Sequence, residues 1–249
     1  MNPFIKSVAH RVPGLAAAWA RWQSRAERDQ LAGRSSQAIF NDYFQRNTWG
    51  GRASRSGRGS DPEQTRAIVQ ALPALWAELG VRHVLDVPCG DFQWMQRVDL
   101  SAVRYTGGDI VERLIEANRG QHSRPGVSFE TLDLLQGPLP PADLLLCRDC
   151  LVHLSFADAR QALANIAQSD IRWLLTTTFP SRPANADIAT GQWRPLNLML
   201  APFKLPPPTL TVVEHCTEGD GQYADKALGL WRVDLVRSAL NGGASDDRV

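Results

Sequence analysis

The pattern of hydrophobic and polar positions changes once along the chain, near Gly80. Before it, apolar side chains recur at helical spacing, as at Leu15, Trp19 and Trp22, and again over residues 68–79. After it, short apolar runs typical of strands alternate with helical stretches. The pattern predicts a helical N-terminal part followed by an alternating α/β domain.

Seven short runs in the second part have the length and composition of buried strands. Helical patterns over 111–119 and 155–169 follow the second and fourth runs, and no long helix separates the last two. Strands joined by helices are parallel, whereas two consecutive strands without a helix form an antiparallel edge. The predicted fold is an α/β, seven-stranded, mostly parallel sheet with helices on both faces and an N-terminal helical extension. The predicted strands are 83–87, 104–110, 127–134, 142–150, 172–179, 210–216 and 228–236.

Composition divides the chain further. Residues 1–46 predict a basic helical arm, and 47–60, "NTWGGRASRSGRGS", predict a Gly/Ser/Arg loop. The main domain is predicted over 61–240, with a Pro- and Asn-rich insertion at 180–208 that is too long for a simple connection. Residues 241–249 predict a flexible tail.

The charge distribution indicates possible binding partners, and the cysteine content indicates a cellular location. Residues 1–58 hold ten Lys and Arg against three Asp and Glu, although the whole chain carries a net charge of +1. Such an arm could touch nucleic acid, phosphate-rich substrates or anionic lipid, or it could be a solvated surface helix. Four cysteines at irregular spacing favour a reducing, cytoplasmic location over a disulfide framework. No apolar run approaches the ~20 residues that span a bilayer.

The predicted strand ends carry a set of acidic residues. Ligands of open α/β sheets bind at the carboxyl ends of the strands, where Asp86, Asp109, Asp133 and Asp149 lie. An acid after the second strand suits ribose hydroxyls, and one after the third suits an exocyclic amine. The chain has neither a G-x-G-x-x-G loop nor a Walker motif, and Asp86 would repel a phosphate. These features favour a ligand with a positive end and no phosphate, such as S-adenosylmethionine.

Four motifs in order resemble those of class I S-adenosylmethionine-dependent methyltransferases. They are "VLDVPCGD", with Pro88 in place of the first motif's first glycine and Phe92 in place of its last, "YTGGDI", "LDL" and "ADLLLCRDCLVHL", and the resemblance covers residues 60–240. It implies a Rossmann-like sheet and S-adenosyl-L-methionine as cofactor. The residues that it implies as cofactor contacts are Asp86, Pro88, Gly90, Asp109, Ile110, Asp133, Leu134 and Arg148.

The loop before the main domain is a candidate cofactor lid. Trp49 would cover apolar surface, and Ser56 with nearby amides would meet the cofactor's carboxylate. The alternative is a flexible linker. For catalysis, Asp149 and His153 lie where the fourth strand opens toward the reacting methyl group. His153 is a candidate general base because its pKa lies near neutrality, although it could equally be a packed histidine.

A metal site is not expected, because "CRDC" and His153 lack the second pair of ligands that a structural zinc needs. The resemblance suggests bacterial O-methylation of a small molecule or glycan. The insertion would cover the acceptor with Trp193, Asn197 and Phe203, and it lacks the basic face that nucleic acid needs. Two alternatives stay open: a nicotinamide-dependent oxidoreductase, and a non-catalytic S-adenosylmethionine-binding module. The oligomeric state is left open.

Overall fold

The computed structural model describes residues 13–50 and 54–243, and those residues form six α-helices and seven β-strands. The helices are α1 (Pro13–Leu31), α2 (Ser36–Arg46), α3 (Pro62–Leu79), α4 (Glu112–His122), α5 (Phe156–Gln168) and α6 (Val233–Gly243). The strands are β1 (His83–Asp86), β2 (Arg104–Asp109), β3 (Val127–Thr131), β4 (Leu144–Cys147), β5 (Trp173–Thr178), β6 (Leu210–Val213) and β7 (Ala227–Arg232).

The seven strands form one mixed sheet in the order β3-β2-β1-β4-β5-β7-β6. Strands β1 to β5 are parallel, and β7 runs antiparallel to both β5 and β6. This confirms the predicted seven-stranded, mostly parallel sheet with an antiparallel edge. Asp86 is in register with Gly107 of β2 and Leu146 of β4, so the carboxyl ends of the three central strands lie side by side.

Alternating side chains of the strands enter two hydrophobic cores, one on each face of the sheet. Val84 and Leu144 pack with α3 on one face, where Ile68 is fully buried. Leu85 and Leu145 pack with α5 and α6 on the other. Because both faces are covered, the central strands read as continuous apolar runs.

The last predicted strand was too long. Strand β7 ends at Arg232, and helix α6 begins at the next residue. Val233 and Val236 are spaced for a helix and bury one face against the second core. Since α6 runs through Gly243, residues 241–243 are helical rather than part of a tail, and residues 244–249 lie outside the described part.

The N-terminal arm forms helices α1 and α2, and residues 1–12 of the predicted arm lie outside the described range. Ser35 caps α2 by accepting a hydrogen bond from Ala38 N. Leu31, Ile39 and Tyr43 bury a small apolar cluster between the two helices. Across residues 13–50 and 54–243, no helix has the length and apolar character needed to cross a bilayer.

Candidate cofactor and acceptor site

A cavity lies at the carboxyl ends of β1, β2 and β4, with about 1110 Å³ of empty space including the part open to solvent. Helix α2 and residues around Trp49 and Ser56 close it from the N-terminal side. Eleven of the twelve residues predicted for the site line this one cavity. They are Trp49, Ser56, Pro88, Gly90, Asp109, Ile110, Asp133, Leu134, Arg148, Asp149 and His153.

Asp86 is the predicted site residue that does not line the cavity. Its side chain is 1% exposed and accepts a hydrogen bond from the Tyr105 hydroxyl at 2.7 Å. Burial raises the pKa of Asp86 to about 7, against the opposing effects of the Tyr105 hydrogen bond and the Arg148 charge. Asp86 therefore lies away from the cavity surface, where its carboxylate binds the Tyr105 hydroxyl of β2.

The loop after β1 depends on Gly90. Its φ is +55°, a left-handed conformation that favours glycine, and a Cβ there would come within 2.2 Å of Ser56 Oγ. Asn118 on α4 donates to the carbonyl of Gly90 at 2.8 Å and holds the loop from the other side. Gly90 thus allows the N-terminal segment to approach the loop.

Asp109 closes β2 and faces the cavity with 6% of its surface exposed. Its Oδ2 accepts from Gly90 N at 3.2 Å, and its Oδ1 accepts from Val111 N at 3.0 Å. Burial raises its pKa to about 6, while these backbone donors oppose the rise. Above pH 6 the cavity therefore contains a largely ionised carboxylate with lone pairs available for further donors.

The segment after β3 supplies an apolar wall with one acid. Asp133 is half-buried and accepts from Leu135 N at 2.9 Å. Leu132, Leu134 and Leu135 of this segment form the wall together with Ile110, which follows β2, and Leu114 of α4. A flat aromatic ligand could pack between these side chains while Asp133 accepts from an amine at its edge.

Asp91 holds the candidate lid and was missed from the sequence. Its carboxylate accepts from Ser54 Oγ at 2.9 Å and from Arg55 N at 2.7 Å, and its backbone N donates to Ser56 Oγ at 3.0 Å. The acid that ends "PCGD" therefore fixes residues 54–56 over the cavity. Asp91 lies 37 residues from Ser54 in the sequence, so no local pattern linked this acid to the Ser/Arg-rich loop.

Four charged groups at the cavity form a closed network, in which Arg148, Glu214 and Lys226 are buried and Asp149 is partly exposed. Arg148 binds Glu214 through Nη2 at 2.6 Å and Asp149 through Nη1 at 3.2 Å, and Lys226 binds Asp149 at 2.6 Å and Glu214 at 3.4 Å. Arg148 also donates to the carbonyl of Gly59 at 2.8 Å. The two cations and two carboxylates compensate each other's charge, which buried ions require. A local sequence pattern does not indicate Glu214 and Lys226 as members of this network, because Arg148 and Asp149 are distant from them along the chain.

This network fixes the protonation of Asp149. Burial alone would raise its pKa, but Lys226 and Arg148 together bring the pKa of Asp149 well below its ordinary value. Its backbone is also unusual, with a φ of +51°, and its N–H donates to Thr177 Oγ1 at 2.8 Å. Asp149 is therefore a permanent anion near neutral pH and is poorly suited to take up a proton.

His153 has the properties of a base. Its Nδ1 lies 3.1 Å from the carbonyl oxygen of Gln192, which can only accept, so Nδ1 carries the proton and Nε2 holds the lone pair. Burial lowers the pKa of His153, and the Asp149 charge opposes that shift. The ring is therefore neutral at physiological pH and lines the cavity beside Asp149.

A second cavity, with about 1550 Å³ of empty space, adjoins the first. The two share Trp49, Ser56, Asp149 and His153. Of the insertion residues expected to cover an acceptor, only Trp193 lines this cavity. Asn197 is buried and donates to the carbonyls of Pro180 and Arg182, which fixes the insertion, and Phe203 packs in the second core.

Residues 216–220 also line this cavity, although the sequence did not single them out. Gln64 of α3 holds this segment, since it donates to Thr217 Oγ1 at 2.7 Å and accepts from Thr217 N at 3.1 Å. A polar loop between two strands carries no signal of this pairing, because Gln64 lies far away in the sequence.

No protein-family model and no curated protein matches this sequence. Solved structures do match. The N-methyltransferase NodS from Bradyrhizobium japonicum WM9, in complex with S-adenosyl-L-homocysteine, superposes with a TM-score of 0.54 and 18% identity over 77% of this chain and 98% of that one. PigF with S-adenosylhomocysteine gives a TM-score of 0.54 and 12% identity over 80% of this chain and 62% of that one.

The chain has the fold of class I S-adenosylmethionine-dependent methyltransferases. This confirms the resemblance inferred from the four motifs. The chain also aligns with human N-acetylserotonin methyltransferase in complex with SAM, at a TM-score of 0.48 and 14% identity over 66% of this chain. It spans only 54% of that protein, so about half of the human enzyme has no counterpart in the alignment. In the methyltransferase fold seen here, the strand-end residues named above surround the first cavity.

Proposed function

We propose that this protein is an S-adenosylmethionine-dependent methyltransferase that acts on a hydroxyl group of a small molecule or glycan. The observation that carries the proposal is Asp109. It is a buried carboxylate at the end of the second strand, oriented into a cavity with no phosphate-binding loop. Such an acid suits a ribose, and the absence of a glycine-rich loop disfavours a dinucleotide.

The residues of the first cavity fit S-adenosylmethionine. Asp109 would accept from the ribose hydroxyls, and Asp133 with the apolar wall of Ile110 and Leu134 would hold the adenine. Ser56 lines the cavity beside the loop that follows β1, where the segment 54–56 would meet the amino-acid part of the cofactor. Pro88, Gly90, Trp49 and Arg148 complete the lining.

When bound, the cofactor supplies an electrophilic methyl group, and its sulfur keeps the electron pair of the broken C–S bond. His153 would accept the proton of the attacking hydroxyl at Nε2. Asp149 would remain ionised and stabilise the imidazolium that forms, since its charge favours protonated His153. Most of the acceleration would come from alignment of the two reactants across the shared residues of the two cavities.

The second cavity is the proposed acceptor site because it reaches the first cavity at His153 and Asp149. A hydroxyl acceptor requires deprotonation during the reaction, which gives the neutral His153 a function. We also propose a cytoplasmic location, for which the support is the irregular spacing of the four cysteines.

The experiment that tests the proposal is a methyl-transfer screen. Mass spectrometry of co-purified small molecules would come first, followed by incubation with labelled S-adenosylmethionine and panels of sugars and phenols. We expect a product heavier by one methylene unit, and we expect His153→Ala to slow its formation by about a hundredfold or more while cofactor binding persists. Binding of cofactor without transfer to any acceptor class would favour a non-catalytic binding module.

A further inference from the structure

The second cavity has two different walls, and together they indicate the charge of the acceptor. This inference rests on the proposed function, because it assigns the cavity to the acceptor. The cavity is wide enough for a sugar-sized molecule, and His153 is one of the residues that line it.

One wall is aromatic. Trp193 keeps 41% of its side chain exposed although it belongs to a packed group of rings. Its ring centroid lies 4.8 Å from that of Tyr223 and 6.1 Å from that of Phe179, both in edge contacts. These neighbours hold the indole in place, so a fixed aromatic surface is available to a ligand. Such a surface attracts apolar faces and cations.

The other wall is acidic. The side chains of Asp61, Glu63, Glu218 and Asp220 line the cavity, and Arg58 adds one guanidinium. Within residues 13–50 and 54–243, no ion pair involves any of these four carboxylates, and only the weakly donating Cys216 thiol approaches Glu218, at 4.0 Å.

The remaining charges of the cavity largely compensate each other. Lys226 and Asp149 belong to the four-residue network with Arg148 and Glu214, so they add little net field. The four unpaired carboxylates therefore dominate the electrostatic potential of the cavity and make it negative. A cleft with low-dielectric walls and such a potential concentrates positively charged ligands.

We infer that the acceptor is a hydroxyl compound that carries an ammonium group, such as an amino sugar. The ammonium group would lie near Glu218 and Asp220 and beside Trp193, and the hydroxyl would reach His153 at the other end of the cavity. The four carboxylates that line the cavity would repel an acceptor that carries a carboxylate or phosphate group. An uncharged sugar would contact the aromatic side chains but would bind more weakly, because it gains no attraction from the carboxylates.

The test compares three probes that share one ring and differ in charge: glucosamine, glucose and glucuronate. Their binding to the protein loaded with S-adenosylhomocysteine is measured by tryptophan fluorescence at low salt and again at high salt. We expect glucosamine to bind roughly tenfold tighter than glucose, with glucuronate weakest, and we expect this difference to shrink at high salt. The double variant Glu218→Gln with Asp220→Asn should lose most of the preference for glucosamine over glucose.

The matched control is Glu78→Gln with Asp170→Asn, which changes the net charge equally at exposed acids outside both cavities. This control should keep the preference. Equal binding of the three probes, tighter binding of glucuronate or no binding of glucosamine would each overturn the inference. Because S-adenosylhomocysteine binding is measured first, these outcomes leave the cofactor proposal standing, whereas loss of that binding would affect the proposed function instead.

Discussion

The backbone carbonyl of Gln192 accepts the Nδ1 proton of His153 at 3.1 Å, and the side chain of Gln192 is held by helix α1. Gln192 Nε2 donates to Ser24 O at 2.9 Å and to Glu27 Oε2 at 3.1 Å, while its Oε1 accepts from Ala189 N at 3.0 Å. The N-terminal arm, which carries none of the strand-end acids, therefore reaches the proposed base through one buried residue.

Gln192→Ala should impair catalysis without changing cofactor affinity. The variant frees the loop that carries the Gln192 carbonyl, so His153 loses its fixed orientation. We expect kcat to fall between about tenfold and a hundredfold and the pH profile of kcat to shift, since both depend on that orientation. The affinity for S-adenosylhomocysteine should stay the same because Gln192 lines neither cavity. Ser24→Ala, which removes only a 3.3 Å contact, is the control and should behave like the wild type.

Asp109→Ala should weaken binding of S-adenosylhomocysteine by about 1.5–3 kcal/mol, the range for hydrogen bonds to charged groups. In the wild type, the affinity should fall as the pH drops through about 6, because burial raises the pKa of Asp109 to about 6 and the protonated acid is a weaker acceptor. Calorimetric titrations from pH 5 to 8 measure both effects. An unchanged affinity in the variant, or a pH dependence that survives it, would remove Asp109 from the ribose role. Exposed Glu112→Gln is the control.

The sequence predicted those site residues that belong to a local pattern and missed those whose partners are distant along the chain. Asp109 and Asp133 were found because a strand followed by an acid is a local pattern. Asp91 and Gln64 were missed because their partners, Ser54 and Thr217, are distant in sequence and only the fold brings them together. The fold itself was predictable because the alternation of strand and helix periods is strong after Gly80.

Two differences between the sequence-based predictions and the structure have clear physical causes. The apolar run "LGLWRVDLV" was taken as one strand because strand and helix patterns are hard to separate in short apolar segments, yet α6 begins within it. Asp86 was predicted to contact the cofactor because it opens the loop motif; in the structure it binds the Tyr105 hydroxyl and does not line the first cavity. The orientation of a single side chain at a strand end depends on such partners.

Asp86→Asn should stabilise the protein more at pH 8 than at pH 5. Burial raises the pKa of Asp86 to about 7, so the folded protein binds this proton more tightly than the unfolded chain. The contribution of Asp86 to stability therefore declines as the pH rises from about 4 to 7, whereas Asn does not titrate and still accepts from Tyr105. We expect a gain on the order of a few kcal/mol at pH 8, measured by urea unfolding. Asp170→Asn, an exposed control, should give no such trend.

Asp91→Ala should release the segment over the first cavity. The variant loses the acceptors for Ser54 Oγ and Arg55 N, so trypsin should cleave at Arg55 faster than in the wild type. S-adenosylhomocysteine should slow cleavage in the wild type, as a lid over the cofactor requires. Equal cleavage of the wild type with and without this ligand would make residues 47–60 a plain linker.

The central claim is that the first cavity binds S-adenosylmethionine and not a dinucleotide. Isothermal titration of the full chain with S-adenosylhomocysteine and, separately, with NAD tests it most directly. We predict saturable one-to-one binding of S-adenosylhomocysteine that Asp109→Ala weakens, and no measurable heat with NAD. Saturable binding of NAD, or no binding of S-adenosylhomocysteine by the folded protein, would contradict the account.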